Sequence, residues 1–225
     1  MTMMPPPDPA ERDRHGSAAD YAHAALRAGI LARRFRPGQR MREVELTQWL
    51  GISRTPVRQA LSRLELEGLL SLEPRSGLVV ARLDDEAMDE LYEMRSALEA
   101  AAAAMAVRHA TPRDLEALHD LLAREAALPR DPDLRFAHNL EFHAAIYRAA
   151  HNRFLMKSLG ALNDAIALLG STTMAAEGRL EAALEEHRAL VAAIAARDAP
   201  QAERLARAHI ETALELRRRM AQRPA

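Results

Sequence analysis

From Tyr21 to Leu31 the apolar positions Tyr21, Ala25, Leu26, Ile30 and Leu31 recur every three or four residues, which predicts a helix from Ser17 to about Arg34. "RPGQR" then stops it, because Pro37 and Gly38 cannot continue the pattern. A short second helix is predicted over Glu43 to Leu50, Gly51 supplies a turn, and Ser53 is placed to cap a third helix running to about Glu67. Pro56 is tolerated in the first turn of that helix, where the amides have no intrahelical partner. Val57, Leu61 and Leu64 fall on one side of it, and Arg54, Thr55, Arg58 and Gln59 on the other. After Gly68, the segment "LLSLE", the turn "PRSG" and the β-branched "LVVA" read as a hairpin. Helix, helix, turn, helix and hairpin in this order predict a winged helix-turn-helix.

From Asp84 onward Gly and Pro become scarce and the period is helical throughout. Helices are expected at about 84–109, 112–128, 132–150, 153–170, 178–197 and 199–221, broken at "TP", "PRDPD", "HNR", "GSTTMAAEG" and "RDAP". The alanine-rich run "ALEAAAAAMA" suits close helix packing better than a ligand surface. The expected fold is therefore mainly α: a winged helix-turn-helix at 17–82, then an all-α antiparallel bundle at 83–222. Residues 1–16 are polar, Pro-rich and aperiodic, and read as a disordered arm.

Composition narrows the functional classes. The 225 residues are 48% apolar and 28% charged, enough for two small soluble domains. No apolar run approaches the roughly 18 residues that span a bilayer, and "MTMMPPPDPAERDRHGS" lacks the apolar stretch of a signal peptide. The expectation is a cytoplasmic protein with no membrane partner. With zero Cys, disulfides, thiolate nucleophiles and Cys-ligated zinc are excluded, so a metal can be held only by nitrogen and oxygen. Net charge is -1 but unevenly spread: residues 27–82 hold 11 Arg against 5 Glu, and residues 83–225 hold 18 basic against 23 acidic groups. A basic module precedes a mildly acidic one. Lys157 is the sole lysine, and this reflects a GC-rich coding bias more than a choice of guanidinium chemistry.

The third helix has the chemistry of a major-groove reader. Arg54 and Arg58 lie one turn apart, each able to donate two hydrogen bonds to guanine, a contact that discriminates by about 1–3 kcal/mol. Gln59 can read adenine or hold a phosphate, and Ser53, Thr55 and Arg75 suit phosphate or minor-groove contact. The competing reading is an exposed, solvated helix face; the turn, cap, wing and local basic excess together favour double-stranded DNA.

Of the nine histidines, His15, His23, His109, His119 and His151 sit near termini, helix ends or exposed faces. His143, His187 and His209 differ, since "NLEFHAAIY", "EEHRALVAAI" and "ARAHIETAL" embed each in an apolar helical pattern. Three inward histidines from three helices can converge on a metal, with Asn139 one turn before His143 as a fourth ligand. Taken singly, each is more often a satisfied core histidine. Arg95 and Glu99, also one turn apart, form either a carboxylate clamp in a cavity or a surface ion pair. Ser171 and Thr172 lie in a helix break and are candidates to hydrogen-bond a ligand, or serve as a cap. No carboxylate stands out as a general base: Glu141 points to the other side of its helix, and Glu186 adjoins His187 without clear access. A metal-dependent hydrolase is thus the weaker alternative, and a pure dimerisation module without ligand is a third reading.

The stretch "RPGQRM...E.ELTQWLGISRTPVRQALSRLELEGLL...PRSGLVVARL" resembles the DNA-binding domain of the GntR family of bacterial transcription regulators, with "SRTPVRQAL" the specific match. The resemblance implies that Arg54 and Arg58 read bases and that Gly77 is the wing tip. Val44 departs from it, since the family often has arginine between the two acidic residues. The segment from Asp84 to Met220 resembles the FCD effector domain of the FadR-like branch. That likeness implies a divalent metal, zinc or nickel, beside a small carboxylate effector. It carries the histidines over to His143, His187 and His209 and puts Asn139 where the family has aspartate, a weaker ligand for a cation. Arg95 and Glu99 match the family pattern and imply an effector-binding role. The expectation is a ligand-responsive repressor, not an enzyme. It acts as a homodimer on a pseudo-palindromic operator, because one winged helix makes too few contacts for tight specific binding.

Overall fold

The computed structural model describes residues 12, 14–170 and 172–222, so the expected 1–16 arm and Ser171 fall largely or wholly outside the described residues. The chain forms two compact units, one made of the residues up to Asp84 with Asp164–Gly170, the other of Asp85–Asn163 with the residues from Ser171 on.

In the first unit, α1 (Ala18–Leu31) starts at Ser17, whose hydroxyl accepts the Asp20 amide at 3.1 Å. It ends three residues before the predicted boundary. Arg33 turns to φ 56°, and the amides of Arg34 and Phe35 return to the Gly29 carbonyl at 2.8 and 3.2 Å. Helices α2 (Glu43–Leu50) and α3 (Arg54–Leu66) are joined through Gly51, which at φ 65° takes the left-handed conformation that the turn requires. Ser53 occupies the N-cap position but makes no side-chain capping bond, so the first-turn amides of α3 stay open. The apolar side of α3 (Val57, Ala60, Leu61, Leu64) is buried with Tyr21, Leu26 and Ile30 of α1. Strands β1 (Leu70–Glu73) and β2 (Gly77–Val80) pair antiparallel from Leu70↔Val80 to Glu73↔Gly77, with Gly77 at φ 73° closing the wing. Winged helix-turn-helix is the observed architecture of this unit.

The second unit is all helical apart from one 3₁₀ turn, among the described residues: α4 (Asp85–His109), α5 (Pro112–Ala127), α6 (Pro132–Ala149), α7 (Arg153–Ala167, whose residues from Asp164 on belong to the first unit), the 3₁₀ turn Thr173–Ala175, α8 (Arg179–Ala195) and α9 (Ala199–Ala221). Three starts follow one recipe, an oxygen-bearing N-cap followed by proline at the first or second helical position. Thr111 and Asp114 form a reciprocal capping box, while Asp131 and Asp198 accept first-turn amides. The alanine run packs as expected. Ala102, Ala103 and Ala106 of α4 are buried in one core with Ala202 and Ala206 of α9, small side chains that let the helix backbones approach closely. Helix α4 also packs on α6 and α8, and α5 on α6 and α8. Phe142 of α6 lies wholly buried in that core. Among the described residues no helix is long and apolar enough to cross a membrane.

Candidate metal centre and DNA-facing helix

Helices α6, α8 and α9 each bury one histidine at a common point. His143, His187 and His209 are 3, 1 and 5% exposed, and each offers a ring nitrogen within 4.8 Å of the others. His143 Nε2 stands 3.2 Å from His209 Nε2, and the His187 ring stacks at 4.1 Å on Phe142.

What orients these rings is a ring of glutamates. His187 Nδ1 donates to Glu125 Oε2 at 2.9 Å and His209 Nδ1 to Glu186 Oε2 at 2.6 Å. His143 Nδ1 lies 2.7 Å from Glu99 Oε2, at ion-pair distance but without the direction of a hydrogen bond. An ionised carboxylate only accepts, so Glu125 and Glu186 hold the protons of His187 and His209 on Nδ1 and leave each Nε2 with a bare lone pair. The bare Nε2 of His209 lies 3.2 Å from His143 Nε2, close enough to accept a hydrogen bond from it or to share a cation with it. The donor set of three imidazoles fits a divalent ion that favours nitrogen, and the Asn139 oxygen, one turn before His143, is buried without a hydrogen-bond partner.

Electrostatics keep His187 and His209 in the binding form. Burial holds His187 below the ordinary imidazole value and His209 well below it, so both are neutral near pH 7. Burial opposes ionisation of Glu99, but the charges of His143 and Arg95 prevail and hold it far below the usual carboxylate range. Glu125 is likewise lowered against its burial, by the hydrogen bond and charge of His187. Arg95 donates to Glu99 at 2.9 Å, and Arg179 Nη1 lies 2.8 Å from both oxygens of Glu186. Glu125 has no arginine in ion-pair contact.

Besides His143 Nδ1, five buried polar atoms on these histidines or on residues around them have no hydrogen-bond partner among the described residues: Arg95 Nε, Asn139 Oδ1, Tyr147 Oη, Arg179 Nε and His187 Nε2. Burial, then the nearby Glu99, pushes the Tyr147 hydroxyl well above its ordinary value, so it remains a neutral donor. Unpaired buried donors and acceptors are costly, and five of them clustered together amount to a site shaped for a polar occupant.

The predicted residues distribute as follows. Arg95 and Glu99 are a buried pair, 6 and 4% exposed, which removes the surface ion-pair reading. Glu99 reaches the histidines directly, and Arg95 acts on them through it. Thr172 is buried and its hydroxyl accepts the Met174 amide, capping the 3₁₀ turn; Ser171 lies outside the described residues. The sequence points to no carboxylate placed as a general base beside the histidines, and the structure adds three that accompany them in another position. They are Glu99, Glu125 and Glu186, and Glu186 touches His209 of the next helix rather than its neighbour His187. Each sits at the Nδ1 edge of its ring, away from the Nε2 face where a general base for a metal-bound water would have to be. Arg179, Glu125 and the buried His138, which bonds the Leu121 carbonyl at 3.1 Å, were not singled out from the sequence. A charged residue on an otherwise apolar stripe, such as Glu125 after Leu118 and Leu121, is the signal that marks them.

In the first unit, Ser53, Arg54, Thr55, Arg58 and Gln59 are all exposed at the start of α3, Arg75 is exposed in the wing turn, and Gly77 is half-buried. Arg58 Nε lies 2.9 and 2.8 Å from the two oxygens of Glu43 on α2. Arg54 has no ion pair among the described residues.

Comparison with known proteins meets the chain at both units. The profile of bacterial regulatory proteins of the gntR family matches residues 18–80, and that of the FCD domain matches residues 90–212. The chain is 32% identical to the probable D-xylose utilization operon transcriptional repressor of Paenarthrobacter nicotinovorans, over 77% of its length and 76% of the relative's. It is 31% identical to the putative L-lactate dehydrogenase operon regulatory protein of Escherichia coli, over 75 and 73%. Its fold matches the solved structure of E. coli McbR/YncC with a TM-score of 0.78, at 24% identity, covering 92% of this chain and all of that one. These relatives are regulators rather than enzymes.

Proposed function

This chain belongs to the gntR family of bacterial regulatory proteins, carries an FCD domain and is a DNA-binding transcriptional regulator; from that premise we propose that it is a homodimeric, cytoplasmic repressor released from its operator by a small carboxylate. The cluster of five unpaired buried polar atoms around the three histidines carries the reading of the helical unit. His143, His187 and His209, with the Asn139 oxygen, would hold a divalent metal, zinc or nickel by the chemistry of its ligands. When bound, that metal would supply positive charge and an open position for an acid's oxygen.

The chain's own residues do the rest. Glu125 and Glu186 fix the tautomers of His187 and His209, Glu99 stands against His143, and Arg95 and Arg179 neutralise Glu99 and Glu186. Arg95 Nε and the Tyr147 hydroxyl remain free to donate to a bound carboxylate. An acid bound there would tie α4, α6, α8 and α9 together, and its differential affinity for two arrangements of the helices would shift DNA binding. Arg54, Arg58 and Gln59 would read bases, with Ser53, Thr55, Arg75 and Gly77 on the backbone. Two copies would engage two half-sites, since a single winged helix buries too little surface for specific affinity. The name of the Paenarthrobacter relative supports the sign of regulation, and that of the E. coli relative fits an acid as the signal.

The test is metal analysis of protein purified without a histidine tag, followed by melting curves with a panel of carboxylic acids. Bound metal and an acid-dependent rise in Tm that disappears in His187→Ala are expected. Equal metal content in the parent and in His143→Ala, His187→Ala and His209→Ala would leave the histidines as core residues and sink the proposal.

A further inference from the structure

We propose that Glu43 is a positioning residue for base reading: it grips Arg58 by Nε so that the two terminal nitrogens of the guanidinium face the DNA as a preset fork. The inference rests on the reading of Arg58 as a groove residue and goes beyond it. Glu43 opens α2, Arg58 lies in the second turn of α3, and both oxygens of the carboxylate lie within 2.9 Å of the one Nε. A guanidinium carries one N–H on Nε and four on its terminal nitrogens. A carboxylate on Nε therefore leaves the end-on pair intact, the pair that matches the two acceptors on the major-groove edge of guanine. Without the grip, an arginine with its side chain 65% exposed samples many rotamers, and most of them point away from any one base. Arg54, one turn earlier, has no acidic partner among the described residues and keeps that freedom.

The arrangement has a cost that makes it testable. A carboxylate at the DNA face repels phosphate, so Glu43 lowers affinity for DNA of any sequence while sharpening the choice at one base pair of each half-site. The alternative is that Glu43 serves only the N-terminus of α2, where acidic residues favour the helix dipole. Glu45 separates the two roles. It occupies the same first turn, carries the same charge and pairs with its own arginine, Arg42, at 2.9 Å, rather than with Arg58.

The experiment selects binding sites from a random-sequence duplex library with the full chain, then measures affinity for each single-base variant of the selected site and for random duplex. Arg58→Ala should remove a guanine preference of about fivefold or more at one position per half-site. If it removes none, Arg58 does not read a base and the premise itself fails. Given that preference, Glu43→Ala should reduce it to about twofold or less and tighten binding to random duplex at low salt. Glu43→Gln, which keeps an acceptor for Nε, should retain most of the preference while showing the same tightening. Glu45→Ala should tighten random-duplex binding and leave the preference alone. Wild-type guanine preference in Glu43→Ala, or equal loss in Glu43→Ala and Glu45→Ala, overturns the proposal.

Discussion

Replacing Glu125 by glutamine isolates the contribution of one outer carboxylate to the histidine centre. Glu99 and Glu186 each share their charge with an arginine in ion-pair contact, whereas the ion-pair contact of Glu125 among the described residues is His187, with His138 and Arg135 acting on it from beyond contact. Glutamine keeps the shape and can still accept from Nδ1, but it removes the charge. It can also flip and donate to Nδ1, which would move the ring proton to Nε2 and block the ligand position. Loss of such an outer partner commonly costs tenfold to a hundredfold in metal affinity, about 1.4–2.7 kcal/mol. The fold itself should lose much less. A buried charge-assisted hydrogen bond becomes a neutral one, but the penalty for burying the carboxylate disappears with it, leaving a net loss of about 1 kcal/mol or less. In a chain of this length that is about 2–4 °C in the Tm of the metal-free protein.

The assay is a competition titration of zinc between untagged protein and a chromophoric chelator at neutral pH, paired with a melting curve of each metal-free variant. Glu125→Gln should bind zinc about tenfold or more weakly while melting close to the parent. Zinc affinity within about threefold of the parent, combined with a large fall in Tm, would show that the carboxylate supports packing only, and the account of tautomer control would be wrong.

Other perturbations test separate links of the same reasoning. His187 and His209 have folded values below the ordinary 6.5, so the unfolded chain takes up protons that the folded chain refuses, and stability rises with pH in that range. The Tm of metal-free protein should therefore fall as pH drops through 6.5 toward the folded values; a flat profile down to about pH 5 would contradict the burial of neutral imidazoles. Below the ordinary carboxylate value of 4.5, the contributions of Glu99 and Glu125 are lost in turn as their lowered folded values are crossed. Arg54→Ala and Arg58→Ala should each weaken operator binding by about 1–3 kcal/mol with helical content unchanged, and an unaltered footprint in both would remove α3 from the groove. Asn139→Asp should tighten zinc binding, on the order of tenfold, by adding charge to the ligand set. If Asn139 only packs, a buried Asp destabilises the fold by a few kcal/mol without tightening the metal.

The helices and the three histidines were legible in the sequence for the same reason. Each histidine occupies a position where the 3.6-residue period demands an inward side chain, and a polar group there must find a partner. The partners were not legible, although they obey the same period: Glu99 lies one turn after Arg95 on the buried face of α4, and Glu125 one turn after Leu121 on α5. Periodicity says which way a side chain points along its own helix, but not which helix faces it. That is decided by the packing of α4 on α6 and of α5 on α8, which brings Glu99 to His143 and Glu125 to His187. Glu186 shows the limit most clearly, because its sequence neighbour is His187 while its contact is His209 on α9. The proton position on each imidazole, and with it the ability of Nε2 to bind anything, is set by these tertiary pairings. Function at this centre therefore lies one level above the motif: three histidines with helical spacing make a candidate, and three carboxylates brought in from other turns and helices make a ligand set.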